Sequence, residues 1–247
     1  DRQIESGFNV EFIIRELFIP APGRVWCSSD AEQIEFRLFA HYSNSAKLLA
    51  AYAENPKVDF HNIVMNMIRQ KIPNFSRTHT KTINFAKIYG GGRQAIADQM
   101  GVDRSVSDPF VDMYEEEFPE AGRLLRQATN VAEQRRFVKT YLGRRARFIK
   151  PTSKDPQIRL MEEIAYKPHS ALNRVLQGTA ADIMKIKIKE VYDARKELTL
   201  TLRMTVHDEV DGDLDNPERA KRLEEILNHQ SVELKVPILW STDLGEN

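Results

Sequence analysis

Asp30-Ala31-Glu32-Gln33-Ile34-Glu35-Phe36-Arg37 is the stretch on which the fold of this chain turns. The apolar run from Arg24 to Ser29, carrying Val25 and Trp26, follows Pro22-Gly23 and reads as a buried strand opened by a turn. Asp30 closes that strand. Beyond it Ile34, Leu38, His41, Leu48 and Leu49 recur at helical spacing, so Gln33 to Tyr52 reads as helix. The unit is strand, then helix, with a carboxylate at the junction.

A second acidic stretch, Val206-His207-Asp208-Glu209-Val210, lies far downstream inside a different pattern. From Leu200 to Leu214 the period is two: Leu200, Leu202, Met204 and Val206 share one face and Val210 and Leu214 return, which predicts a β-hairpin. Asp208 has the parity of the apolar residues. A charge at the end of a packed face costs free energy unless it is paired or metal-bound.

Between the two stretches, Arg77, Lys81, Phe85 and Tyr89 are spaced four apart. At ~3.6 residues per turn each step drifts only about 40°, so they form one helical stripe. Two cations near the positive end of a helix suit a triphosphate, and two aromatics beyond them could pack on sugar and base. Taken singly, the aromatics read as core and the cations as a solvated face. Carboxylates from separate segments can hold two divalent cations about 3.5 to 4 Å apart, the arrangement that phosphoryl transfer to a nucleic-acid end requires, with positive charge on the triphosphate. Together the three segments read as a nucleotidyl-transfer site.

A length of 247 residues suits one large domain or two lobes. Hydrophobic residues at 41% and charged residues at 29% exclude the disordered and membrane classes. No apolar run approaches the roughly 18 residues of a membrane span and no signal-peptide pattern is present, so the expected setting is soluble and cytoplasmic, in a bacterial or phage-infected cell, with an organellar source left open. The single cysteine, Cys27, excludes an internal disulfide and a thiolate-rich metal site and reads as a buried small residue.

The 36 basic and 36 acidic residues cancel, but their distribution is uneven. Arg135, Arg136, Lys139, Arg144, Arg145, Arg147, Lys150 and Lys154 form a stripe with no acidic residue among them, interleaved with Phe137, Tyr141 and Phe148. It is either a solvated face or a phosphate-binding surface.

Further helices are expected at Asp59 to Gln70 and Arg77 to Met100, separated by Ile72-Pro73-Asn74 and interrupted at Gly90-Gly91-Gly92. Ser107 to Asn130, with Pro109 near its start, and Gln157 to Leu198 also read as helix. Phe137 to Lys150 reads as a short hairpin, Pro217 to Leu234 as a final helix and Val236 to Leu239 as a last strand. The chain opens on Asp1, and the segment up to Pro20-Ala21-Pro22-Gly23 reads as the tail of something larger.

Asp30 to Arg37, followed by Leu38-Phe39-Ala40-His41-Tyr42-Ser43, is similar to motif A of family A DNA polymerases, whose consensus is Asp-Tyr-Ser-Gln-Ile-Glu-Leu-Arg leading into Ala-His-Leu-Ser. Arg77-x3-Lys81-x2-Asn84-Phe85-x3-Tyr89-Gly90 resembles motif B, Val206-His207-Asp208-Glu209 resembles motif C, and Leu176-Gln177-Gly178-Thr179-Ala180-Ala181-Asp182-Ile183 matches a further signature in the same order. Each is moderately specific; the ordered set is far more so. The resemblance covers nearly the whole chain.

It implies an α+β fold: a polymerase palm, an antiparallel sheet with helices, at 1–45 and 166–247, and a mostly helical fingers subdomain at 46–165 with the motif B helix at about 77–90. Thumb and exonuclease are expected to be absent. The implied function is a DNA-directed DNA polymerase core that adds deoxynucleotides to a primer 3′ end with two Mg²⁺ ions.

By resemblance Asp30 and Asp208 ligate the metals, Glu209 supports them, and Lys81 contacts the triphosphate and protonates the leaving pyrophosphate. Arg77 lies on the γ-phosphate, Phe85 against the sugar, Tyr89 by the incoming base, and Gln33 near the nucleotide. Glu35 is the counterpart of a steric gate that excludes a ribose 2′-hydroxyl. Asn173, Gln177 and His207 match positions that touch primer and template; His169 stands where the family has a primer-contacting Arg; Arg144 and Arg145 are the basic stripe's candidates for DNA. The implied partners are primer-template DNA and deoxynucleoside triphosphates, with an upstream thumb or exonuclease region or a processivity factor, and no membrane. Ala31, Glu32, Ala86, His169 and Thr205 depart from the usual Tyr, Ser, Gly, Arg and Gln.

Two other readings stay open at this level. A palm and fingers without a thumb would bind nucleic acid without efficient turnover. A single-subunit RNA polymerase shares the lysine-bearing helix, and Glu35 argues against it.

Overall fold

A computed structural model of the chain describes residues 17 to 245 apart from 71 and 74. The expected upstream tail falls mostly outside those residues, as does Asn74 of the expected break. The chain divides into two compact units.

The first unit comprises Asp1–Glu32, Ile183–Glu233 and Ile238–Asn247. Its centre is strand β1, Val25–Ala31, which runs one residue past the expected end at Asp30. β1 pairs antiparallel with β5, Glu209–Leu214, on one side and with β6, Trp240–Gly245, on the other, and β4, Thr201–Val206, pairs with β5. The sheet order is β4-β5-β1-β6. The Leu200 to Leu214 hairpin is therefore present, with a register shift between Leu202 and Met204. Gly212 lies opposite Leu202 there, and a Cβ at that position would stand 2.6 Å from the Thr201 carbonyl oxygen, so only glycine fits.

The last strand is displaced from Val236–Leu239 to Trp240–Gly245. Val236 and Ile238 are buried as the apolar pattern requires, but the Ile238 N–H and C=O are met by the Gln230 side chain at 3.0 and 2.8 Å rather than by a strand. The final helix is shorter than expected, Arg219–Asn228, and Asn228 bonds the Trp240 backbone through both amide atoms at 3.0 Å.

The second unit comprises Gln33–Asp182 and Leu234–Pro237. The expected helix from Gln33 to Tyr52 is two, α1 Ile34–Ser43 and α2 Ala46–Glu54, because Asn44 turns left-handed at φ 53°. Then follow α3 Phe60–Arg69, capped by Asp59, and α4 Arg77–Ile88, capped by Ser76. Beyond the glycine turn comes α5, Arg93–Met100. Gly90 adopts φ +75°, and a Cβ there would lie 2.5 Å from the His169 carbonyl oxygen.

The stretch expected as one helix from Ser107 to Asn130 is also two, α6 Arg104–Glu117 and α7 Pro119–Arg135. Phe118, the residue before a proline, is excluded from helical geometry, and Pro119 starts the next helix. Pro109 sits inside α6 rather than at its start. β2 Phe137–Lys139 and β3 Arg145–Arg147 form the expected short hairpin. The span Gln157 to Leu198 divides into α8 Pro156–Ala165, a 3-10 turn Pro168–Ser170 and α9 Ala171–Ala194, again with proline at each restart before Ala171. Phe36, Phe39, Phe60 and His61 form an aromatic core, with Phe36 stacked on Phe60 at 4.7 Å.

Candidate active site

The sheet unit brings the two acidic stretches together. Asp30 faces Glu209 across β1 and β5 and Ser241 across β1 and β6, and the Ala31 N–H donates to the Asp208 carbonyl at 3.0 Å. Val206 pairs with Glu209, so His207 and Asp208 alone make the turn, with His207 left-handed at φ 54°. A tight two-residue turn thus delivers Asp208 to the end of β1.

Asp30 is exposed, yet partial burial pushes its carboxyl up to about 6, reinforced by Asp208, Glu209, Glu32 and Asp243. Every charge that bears on it most is another carboxylate. Asp213, four residues beyond Glu209 on the same strand, is the contrast. Burial alone would raise it, but Arg203 at 2.7 Å, the Ala21 N–H at 3.1 Å and Arg24 at 2.8 Å hold it below the ordinary carboxylate range. Asp213 is a neutralised structural charge; the Asp30 cluster is concentrated negative charge of the kind a cation relieves.

Ser28 Oγ bonds Glu209, and burial with Glu209 nearby pushes Asp211 up, so the negative field extends along β5. Among the described residues no three His, Cys, Asp or Glu side chains close into a ready cage. Magnesium does not need one: it is bound by one or two carboxylates together with waters and substrate phosphates. Asp30 and Asp208, with Glu209 beside them, fit that donor set.

The helical unit holds the other predicted residues apart from His207, which sits in the hairpin turn of the sheet unit. Tyr89 donates its hydroxyl to Glu35 at 3.0 Å, and its ring lies 5.7 Å from Phe85. Lys81 Nζ stands 5.9 Å from the Phe85 ring centroid, and Phe85 meets Phe36 edge-on at 5.0 Å. Arg77 and Gln33 meet on Asp59: Arg77 donates at 2.8 Å and Gln33 at 2.7 Å to the same oxygen. Burial works against Asp59, but the Asn62 N–H, Arg77 and Gln33 outweigh it and keep the carboxyl below its usual range.

Three residues here carry no role in the sequence reading: Asp59 reads only as a helix start, His61 as helix interior, and Asn84 only as one position of the motif B resemblance. His61 and Asn84 bond at 2.9 Å, and burial pushes His61 down to about 4, helped by Arg77 and Lys81 and opposed by Asp59. His61 is neutral at pH 7.

On α9, Asn173 and Gln177 are one turn apart and share a face. Gln177 is exposed, and Asn173 Oδ1 is buried without a partner among the described residues. Arg144 is already engaged: it donates to Asp182 at 2.7 Å and to the Gly178 carbonyl at 2.7 Å. Arg145 lies over the Phe137 ring at 4.7 Å, and His169 and His207 are exposed.

The sequence model of DNA polymerase family A matches residues 3–247. The chain belongs to DNA polymerase family A. Among family A relatives it is 30% identical over 244 residues to DNA polymerase I of Caldicellulosiruptor bescii, covering 95% of this chain and 28% of that protein. It is 27% identical to DNA polymerase DpoZ of Acinetobacter phage SH-Ab 15497, covering 96% of this chain and 39% of that one. Its fold matches the POL domain of Pol1 from M. smegmatis, solved in complex with DNA primer-template and dNTP, at a TM-score of 0.80 and 27% identity over 94% of this chain and 41% of that one. The chain thus spans about a quarter to two-fifths of these family A proteins. Among the described residues no helix is long and apolar enough to cross a membrane.

Proposed function

We propose that this chain is the catalytic core of a DNA-directed DNA polymerase, adding deoxynucleotides to a primer 3′ end, with the sheet unit as palm and the helical unit as fingers. The observation that carries the reading is the convergence of Asp30 and Asp208 at one end of the sheet, fixed by the Ala31 to Asp208 backbone bond, where neighbouring carboxylates add to the burial that raises Asp30. Asp30 and Asp208 would hold two Mg²⁺ ions, with Glu209 in support. When bound, such ions lower the pKa of the primer hydroxyl and offset charge on the transition state.

The chain's own groups do the rest. Lys81 and Arg77, on the exposed face of α4, grip the triphosphate, and Lys81 passes a proton to the departing pyrophosphate. Phe85 lies against the sugar, and Glu35, held by the Tyr89 hydroxyl, fills the space of a ribose 2′-hydroxyl. Gln33 orients beside the nucleotide. Asn173, Gln177, His207, Arg145 and His169 contact primer-template DNA, and Arg144 supports the basic hairpin.

Extension of a recessed primer with Mg²⁺ and four deoxynucleoside triphosphates tests this. Incorporation by this core, or by it joined to an upstream thumb, supports the reading; tight duplex binding with no chemistry in either form favours a nucleic-acid-binding fragment instead. The fraction of the related polymerases that the chain spans is what keeps that second reading in play.

A further inference from the structure

Asp59 draws together residues from three separate segments. Its Oδ1 accepts the Asn62 N–H at 2.8 Å and so caps α3; its Oδ2 accepts Arg77 from α4 at 2.8 Å and Gln33 from the start of α1 at 2.7 Å. Gln33 is held at its other end too, its Oε1 accepting the Phe60 N–H at 3.0 Å. The carboxylate is fixed by its place at a helix start, whereas the Arg77 side chain is long and 53% exposed.

We propose that Asp59 is a positioning residue for triphosphate binding, holding the Arg77 guanidinium and the Gln33 amide in the orientation from which Arg77 meets the phosphates. The inference rests on Arg77 gripping the triphosphate. A guanidinium carries five N–H donors in a rigid fork. One NH2 proton is spent on Asp59 and Nε on Asn62 Oδ1 at 3.3 Å, so among the described residues the NH1 edge keeps both its donors for an anion. An arginine pinned along one edge loses less freedom on binding than one that must be ordered by the ligand. Asp59 remains ionised at neutral pH, because its hydrogen bonds outweigh its burial. A carboxylate that served only as a helix cap would need Oδ1 alone; the convergence on Oδ2 is what a cap does not explain.

Asp59→Asn separates the two roles. Asparagine keeps an oxygen for the Asn62 N–H, and asparagine is as good a cap as aspartate. It cannot offer a charged acceptor to both Arg77 and Gln33.

The readout is equilibrium affinity for magnesium-dATP, which needs no turnover, measured on the wild-type chain, Asp59→Asn, Arg77→Ala and the double variant, with thermal melting of each. The expectation is a roughly three- to tenfold rise in Kd for Asp59→Asn, a rise at least as large for Arg77→Ala, and a double variant no weaker than Arg77→Ala, with the Asp59→Asn melting temperature close to wild type. If Arg77→Ala weakens binding and Asp59→Asn does not, or if Asp59→Asn weakens it equally in the Arg77→Ala background, the inference is overturned while the reading of Arg77 stands. If Arg77→Ala binds as tightly as wild type, or the wild-type chain binds no dATP, the reading of Arg77 fails first and takes the inference with it.

Discussion

The Tyr89 hydroxyl donates to Glu35 at 3.0 Å, tying the residue that ends α4 to the first turn of α1. The bond anchors the carboxylate head to the tyrosine whose ring lies 5.7 Å from Phe85, which in turn meets Phe36 at 5.0 Å.

Sugar selection should depend on that bond. Glu35→Ala is expected to relax discrimination against ribonucleotides by at least about tenfold, since an added hydroxyl is rejected only while its space is filled. Tyr89→Phe, which leaves Glu35 in place but unanchored, should give a smaller loss of the same sign. Competition between ribo- and deoxynucleoside triphosphates in single-nucleotide incorporation measures both, and unchanged discrimination in Glu35→Ala would remove the gate assignment.

Asp30 should cost stability when metal is absent. Its folded carboxyl sits near 6, above the ordinary aspartate value, so its contribution is whole below about pH 4 and is lost as pH rises through 6. Asp30→Asn is therefore expected to melt higher than wild type at pH 8 in EDTA, by on the order of 1 kcal/mol after discounting for solvent screening, with the advantage gone at pH 4. It should at the same time lose several orders of magnitude in incorporation. Equal melting temperatures at both pH values would contradict a carboxyl raised by burial and by its acidic neighbours.

Gly212→Ala should destabilise the hairpin that carries Asp208. The added Cβ meets the Thr201 carbonyl oxygen at 2.6 Å and a Leu200 methyl at 2.9 Å, and backbone cannot give way cheaply. A loss of about 1 to 3 kcal/mol is expected in denaturant unfolding; a neutral substitution would mean that β4 and β5 are not in this register.

Arg144 and Asp182 should be coupled. Asp182 is buried, so Arg144→Ala leaves a carboxylate short of its partner and is expected to cost about 1 to 3 kcal/mol. Modestly weaker duplex binding should accompany it, because the hairpin bearing Arg145 and Arg147 loses one of its attachments to α9, leaving Arg174 on the Arg147 carbonyl at 2.9 Å and the Tyr141 N–H on Thr179 at 3.1 Å. In a double-mutant cycle Asp182→Asn should recover most of the stability cost of Arg144→Ala; additive effects would show that the contact does not hold the hairpin.

The parts of the fold legible in the sequence are those where chemistry and periodicity coincide. β1 with a carboxylate near its end, the Leu200 to Leu214 hairpin with Asp208 at apolar parity, and the Arg77 to Tyr89 stripe each combine a regular pattern with charge, and the structure forms all three. Helix divisions were not legible where a single residue decides them. Asn44 breaks one helix by turning left-handed, and Phe118 breaks another only because a proline follows it. Val236 to Leu239 looked like a strand since buried apolar residues alternate there, but its Ile238 backbone is satisfied by a glutamine side chain, which no periodicity encodes. Asp59 was hidden for a similar reason: its cap is local, while its bond to Arg77 spans 18 residues and depends on how α3 and α4 pack.

The claim on which all this depends is that Asp30 and Asp208 serve one metal pair. Titration of Mn²⁺ in place of Mg²⁺, followed by electron paramagnetic resonance in the presence of primer-template and dATP, tests it most directly. Two bound ions per wild-type chain, with weakened binding in both Asp30→Asn and Asp208→Asn, is the predicted result. Undiminished Mn²⁺ binding in either variant would contradict it.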